Sequence, residues 1–362
     1  MHDAIQWRGT AGWLQRIRQG RFDGCTASEF YLVHEKWRMW APTIFPIALS
    51  PTMSSLISFV DMTFKLHDPH RRFVLAAAAS LPLTCAYPSW AAENKVDLLA
   101  TAAFEKLEKD LAGRLGVFAF NTANGAQLAY RAGERFALCS TFKVIAASAV
   151  LARSVETPNL LQQRIRYVSS DLVAYSPVTE KHVGEGMTVA ELCAAGIQYS
   201  DNTAGNLLIQ LVGGPSAVTA YARTLGDGEF RLDRWETELN SAIPGDPRDT
   251  TTPSAMGRSL QNLVLGNALA AKGRAQLKDW LLGNTTGAAR IKAGIPADWK
   301  IGDKTGGGSY GTANDIAVVW PPGGRPPLVL AVYTAQRGQD AKARGDVVAA
   351  AARVVVDWLE AS

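Results

Sequence analysis

No stretch of this chain approaches the ~18 consecutive apolar residues that a membrane span needs, so a polytopic membrane protein is excluded. Histidine is scarce, with five in 362 residues, and only His182 lies beyond residue 91. One imidazole cannot build the ligand cluster of a zinc hydrolase, so we expect no metal and read His182 as a surface residue. Cysteine is scarce too: of four, only Cys139 and Cys193 fall beyond residue 91. An exported chain could join them, but we expect two buried free thiols. The net charge of +4 comes largely from the first 91 residues, and the remainder of the chain is close to neutral. No stripe of Lys and Arg with interleaved aromatics remains there, which argues against a nucleic-acid partner. What is present, 47% hydrophobic and 19% charged residues, describes a soluble globular protein with one large or two modest domains. We find no internal repeat.

The beginning of the chain differs from the rest. "HRRFVLAAAASLPLTCAYPSWAAEN" sets Arg71 and Arg72 before an apolar stretch, Phe73 to Leu83, with small residues at Ser89 and Ala91. It reads as an export signal cut after Ala91; the bland alternative is a core helix of a longer protein. The paired arginines suggest the twin-arginine route, yet the usual spacing puts a residue before the Phe, so general secretion stays open. Leu83-Thr84-Cys85 suits a lipoprotein cut poorly, because Pro82 stands where an apolar residue is expected. A signal belongs at an N-terminus, but 69 residues precede His70, with Trp7, Trp13, Trp37 and Trp40 in no clear period. We expect the true start at Met62, with 1–61 a gene-start artefact or disordered extension; a small extra domain is the other reading. Residues 62–91 are then the signal and 92–362 the working unit.

In that unit, apolar positions recur at helical spacing from Asn94 to Ala112. "GRLGVFAFNTANGAQLAYRAG" then reads as a hairpin turned at Asn-Gly. From Ser140 to about Leu282 the chain is mostly helical, with two runs interrupted near Ser200. The irregular loop "RWETELNSAIPGDPRDTTTPSAM" is long for a compact domain, and such loops are usually functional. Strand patterns return in "KIGDKTGGGSYG", "NDIAVVWP" and "PLVLAVYTA", before an amphipathic helix from about Asp346 to Leu359. The expected fold is α+β: an antiparallel five-stranded sheet flanked by helices, made of N- and C-terminal pieces, with an all-helical domain inserted. We assign 92–130 and 283–362 to the α/β part and 131–282 to the all-α part.

Chemistry enters at "RFALCSTFKVIAASAV", where Ser140 opens the predicted helix and Lys143 follows on the same face. About one S-x-x-K is expected by chance in such a chain, and alone it reads as an N-cap serine and a snorkelling lysine. Its company changes this. Ser200-Asp201-Asn202 lies sixty residues on, Glu236 thirty-six further, and Lys304-Thr305-Gly306 another sixty-eight, on a glycine-rich strand.

This set resembles the class A serine β-lactamases, whose signature includes S-x-x-K, S-D-N and K-T-G, over about Val96 to Leu359. The resemblance implies hydrolysis of the β-lactam amide bond of antibiotics, hence antibiotic resistance, by a periplasmic monomer. It implies a small-molecule substrate, no cofactor, no metal, and no membrane partner after processing. Ser140 would be the nucleophile that becomes acylated; a serine hydroxyl needs a base, and histidine is not on offer. That leaves Lys143, or Glu236 through a water, a choice disputed for the family. Glu236 with Asn240 would deprotonate the water that hydrolyses the acyl-enzyme, and Asn206 would brace Glu236.

Ser200 would pass a proton to the departing nitrogen and Asn202 would bind the substrate's amide side chain. Lys304 and Thr305, within the motif that Gly306 completes, would attract its carboxylate, with Arg290 as a supplementary guanidinium. Backbone N–H groups of Ser140 and Gly307 would form the oxyanion hole, each worth ~3 kcal/mol. Tyr175 would form one wall of the cleft, and an Arg234–Asp249 ion pair would clamp the loop carrying Glu236.

Departures from the family pattern are visible. Thr237 stands where many members have proline, leaving open whether Glu236–Thr237 is cis. Cys139 precedes the nucleophile as in serine carbapenemases, but Gly308 stands at their partner cysteine and Ala147 at the partner of Cys193, so neither family disulfide can form. A penicillin-binding DD-peptidase, the first rival, lacks the deacylating glutamate that Glu236 supplies. A non-hydrolysing β-lactam sensor, the second, needs a membrane helix that the sequence does not contain.

Overall fold

The computed structural model describes residues 87–361. The expected start at Met62, the 1–61 extension and the apolar stretch of the export signal lie outside the described residues.

The first helix, α1 (Tyr87–Leu111), begins seven residues before the sequence-based expectation and runs through the expected cut after Ala91. β1 (Gly113–Asn121) and β2 (Gln127–Tyr130) then form the hairpin, with Gly125 at φ +79° in the left-handed region that its turn requires. The other long strands close the chain: β7 (Lys300–Gly308), β8 (Thr312–Trp320) and β9 (Leu328–Gln336), followed by α9 (Gly345–Ala361). The five strands are antiparallel in the order β2-β1-β9-β8-β7. β8 from Ile316 and β9 as far as Tyr333 read as continuous apolar runs because the sheet is covered on both faces. Against one face, α1 and α9 bury Phe104, Val348, Val355 and Trp358 on Leu115, Val117 and Val332. Each such side chain contributes about 1.5–3 kcal/mol of burial.

The other face meets the helical part. Its centre is α2 (Phe142–Glu156), buried at every position from Phe142 to Leu151, Lys143 included. A helix covered all round belongs in a core, and α3 (Val189–Gln198), α4 (Asn202–Val212), α5 (Pro215–Thr224), α6 (Pro253–Val264) and α7 (Ala271–Leu282) complete its surroundings. Thr188 and Glu191 make a capping box at the start of α3, and Gly213 ends α4 at φ +115°. A short helix, α8 (Ile291–Gly294), leads into β7.

Ser140 does not open the α-helix itself. It sits in a 3₁₀ turn, Cys139–Thr141, and α2 starts at Phe142. The long loop also has internal order: a 3₁₀ turn at Glu238–Ser241 and a two-residue strand β6 (Thr250–Thr251). β6 pairs with β3 (Phe136–Ala137), tying the loop's end to the approach to Ser140. A second small ladder joins β4 (Arg164–Ile165) to β5 (Met187–Thr188). Cys139 and Cys193 are buried and unbridged. Among the described residues, no helix is long and apolar enough to cross a membrane, and no cluster of His, Cys, Asp and Glu is arranged to hold a metal.

Candidate active site

Four chain segments meet at Ser140. Three come from the helical part and its long loop; the fourth is the edge strand β7, whose Gly306 lies against the 3₁₀ turn. A Cβ at Gly306 would stand 3.0 Å from the Leu138 carbonyl and 3.2 Å from Thr141 Cγ2, so glycine permits this approach.

Lys143 lies one turn beyond Ser140, wholly buried. Its Nζ donates to Ser140 Oγ at 2.8 Å, Asn202 Oδ1 at 2.7 Å and the Ser200 carbonyl at 3.0 Å, and pairs with Glu236 Oε1 at 2.8 Å. Ser140 Oγ faces the same Glu236 oxygen at 3.4 Å, a long contact. The hydroxyl, the amine and the carboxylate thus form one triangle, as an activated serine requires.

Two asparagines hold Glu236. Asn206, on α4, accepts from the Glu236 N–H at 2.8 Å and donates to its carbonyl at 3.0 Å. Asn240, from the loop's 3₁₀ turn, donates to Glu236 Oε2 at 2.5 Å. The Glu236–Thr237 peptide is cis. Arg234 Nε meets Asp249 Oδ2 at 2.6 Å, while Asp249 Oδ1 takes the backbone N–H groups of Asp233 and Arg234.

Ser200, at φ +58° between α3 and α4, receives Lys304 Nζ at 2.9 Å, and Lys304 also donates to the Thr305 carbonyl at 2.7 Å. Burial first, then the nearby charges of Lys143 and Arg290, push the Lys304 ammonium well below the usual lysine range. Asp201 points away from the cleft. It caps α4 through the Ala204 N–H and gathers the N–H groups of Val178 and Thr179 with the Thr179 hydroxyl.

Asn202 is already engaged on both sides, by Lys143 at its oxygen and by donation to the Ala174 carbonyl at 2.8 Å. Exposed Tyr175 stands at the mouth of a cleft of about 570 Å³, which Ser140, Ser200, Asn202, Asn240, Arg290, Thr305, Gly306 and Gly307 also line. Arg290 donates to the carbonyls of Gly306 on β7 and Asn314 on β8, and a Cβ at Gly307 would come within 3.6 Å of its Nη2.

Sequence reasoning missed two contributors. The Thr286 hydroxyl lies 2.5 Å from that of Thr305, and Asn284 holds Thr286 through its N–H and hydroxyl. No motif marks either residue; their role depends on β7, nineteen positions away. Burial pushes the Cys139 thiol up to about 12, making it a poor nucleophile beside Ser140. A separate cleft of about 620 Å³ between β1, the end of β9 and the back of the long loop contains none of these groups.

Comparison with known proteins agrees in kind. A model of the "Beta-lactamase enzyme family" matches residues 99–359. The chain is 55% identical over 295 residues to β-lactamase OXY-1 of Klebsiella oxytoca, covering 81% of this chain and all of that one. It is 55% identical over 291 residues to the carbapenem-hydrolysing β-lactamase KPC of Klebsiella oxytoca, covering 80% and 97%. A crystal structure of a β-lactamase from Desulfarculus baarsii DSM 2075 superposes with a TM-score of 0.73 at 60% identity, covering 74% of this chain and 99% of that one.

Proposed function

The chain belongs to the β-lactamase enzyme family as a class A serine enzyme that hydrolyses β-lactams, and from that premise we propose how its residues divide the chemistry. The observation that carries the assignment is the contact of Lys143 Nζ with both Ser140 Oγ and Glu236 Oε1, each at 2.8 Å.

Ser140 attacks the lactam carbonyl. Its proton leaves to Glu236 through a water, or to Lys143 once the Lys143 ammonium has passed a proton to the Glu236 carboxylate it touches; either route ends with the proton on Glu236. The backbone N–H groups of Ser140 and Gly307 receive the oxyanion, each worth ~3 kcal/mol. Ser200, linked to Lys304, returns a proton to the departing nitrogen, so the amide bond breaks to amine and ester. Lys304, Thr305 and Arg290 attract the substrate carboxylate beside Gly306, while Asn202 and Tyr175 face the rest of the molecule. Glu236, with Asn240, then deprotonates the water that cleaves the ester. Asn206 and the Arg234–Asp249 pair hold the glutamate in place.

No metal or organic cofactor enters these steps. The enzyme acts as a monomer, in the periplasm, after a cut following Ala91, with 92–362 as the catalytic unit.

Glu236→Ala slows deacylation by about 10²–10⁴-fold, the usual weight of a general base. With a chromogenic cephalosporin the variant gives one stoichiometric burst, and intact-mass analysis shows the added acyl group. Steady turnover by Glu236→Ala refutes the assignment, as does covalent labelling of Ser140→Ala.

A further inference from the structure

Behind the cleft, β7 and β8 bury two carboxyl groups that the reaction scheme does not use. Thr305 pairs with Asp315 and Asp303 with Ala317, so Asp303 and Asp315 are diagonal neighbours on the same face of the ladder. Asp315 is fully buried, and its Oδ2 accepts the Ile291 N–H at 3.1 Å, while Oδ1 finds no donor. Asp303 accepts from Asn284 Nδ2 at 2.5 Å. The two carboxyl groups are within hydrogen-bond reach of each other, and two ionised carboxylates cannot bond without a proton. Gly287 closes over them so tightly that a Cβ there would collide with Asp303 Oδ2.

We propose that Asp315 keeps a proton and donates it to ionised Asp303, and that this singly charged pair is the positioning device for the carboxylate-binding side of the cleft. The proton satisfies the orphaned Asp315 oxygen, and the charge rests on Asp303, where the Asn284 amide already donates. Burial, followed by the charge of Asp303, holds the Asp315 acid well above the usual carboxylate range. Lys304 and Arg290 are bonded to neutral oxygens, so the pair's single negative charge offsets them across the strand. Electrostatically, Lys143 also acts on Lys304, Lys292 on Asp303 and Cys139 on Arg290.

A second line runs from the pair to Thr305 through Asn284 and Thr286. The Thr286 hydroxyl donates to Asn284 Oδ1 at 2.8 Å, so toward Thr305 it offers a lone pair. When an anionic substrate draws the Thr305 proton to itself, the Thr286 proton turns to Thr305, and Asn284 keeps the Thr286 N–H. Asp303 thus orients the hydroxyl as well as offsetting the cations.

The inference rests on the reading of Lys304, Thr305 and Arg290 as the carboxylate site, and the test separates the two. Infrared difference spectra of wild-type protein, with aspartate labelled at the side-chain carbon, show a protonated-acid carbonyl band at neutral pH that Asp315→Asn removes. Absence of that band in the wild type overturns the proposal whatever the variants do.

In pH profiles of kcat/KM, Asp315→Asn, which can still donate to Asp303, keeps the wild-type alkaline limb. Asp303→Asn combined with Asp315→Asn removes the negative charge, so Lys304 loses its proton at lower pH and kcat/KM at the alkaline end falls about tenfold. A limb in Asp315→Asn as displaced as in the double variant means that the charge sat on Asp315, and one displaced part of the way means that both carboxylates were ionised; either sinks the idea. A neutral ester of the same β-lactam is the control. Wild type indifferent between acid and ester discards the carboxylate-site reading, while the infrared band still decides the shared proton.

Discussion

Lys143, the second residue of α2, is wholly buried, and its polar Nζ is tolerable there only because four oxygens surround it. Gly308 shows how finely such a site depends on single positions. A Cβ built there stands 2.8 Å from Cys139 Sγ, close to the separation across a disulfide, and 2.5 Å from the Asn240 carbonyl. Gly308→Cys therefore forms a bridge to Cys139 during oxidative folding, and mass analysis shows the loss of two hydrogens and of both thiols. The bridge adds about 2–4 kcal/mol less the strain of displacing Asn240, read as a raised denaturant midpoint. Recovery of both thiols intact would refute it. Formation in the already folded protein is slow, because burial keeps the Cys139 thiol near 12 and leaves little thiolate.

The loop from Arg234 to Thr252 is the element on which deacylation depends, and its order comes from charge more than from apolar packing. Asp249 is almost wholly buried and holds Arg234 and two backbone N–H groups. Arg234→Ala strands that carboxylate and costs about 3–5 kcal/mol locally. We expect accumulation of acyl-enzyme, seen by intact mass during turnover, with acylation slowed less than deacylation. Equal slowing of both steps would contradict a role through Glu236.

Acid loosens the same element at its outer side. Hydrogen bonding from Arg248, first through its side chain, holds Asp246 down at about 2 against an ordinary 3.8. A depressed carboxylate stabilises above its unfolded value and loses this as pH falls through the folded one. Pepsin cleavage in 243–248 should thus rise as pH drops from 3.8 toward 2, a rise that Asp246→Asn abolishes by being loose throughout. The four motifs were legible in the sequence because each is a short run of reactive side chains in fixed order. The β3–β6 ladder was not, since two residues carry no period, and neither were Asn284 and Thr286, whose partners are set by the neighbouring strand.

At the scale of the whole molecule, the sheet closes by pairing the beginning of the working unit with its end, from Gly113↔Gln336 to Asn121↔Leu328. That closure was legible as apolar strand runs before and after a helical middle. The start of α1 was not, because the small residues Ser89 and Ala91 read as the cut site of an export signal and not as the first turns of a helix. Contacts that fix α1 to the sheet lie beyond the expected cut: Asp97 accepts the Trp358 indole N–H at 2.8 Å, and Phe104 is fully buried. Glu108 takes the Leu115 N–H at 3.0 Å and the Tyr130 hydroxyl at 2.8 Å. A chain of residues 92–362 alone should therefore fold with the melting temperature and kcat/KM of the full chain, and N-terminal sequencing of periplasmic enzyme should begin at Ala92. The sensitive comparison is a further cut to Phe104, which removes the Asp97–Trp358 bond and the first turns of α1. If that chain is as stable as 92–362, the docking of α1 on α9 does not hold the sheet's outer face together.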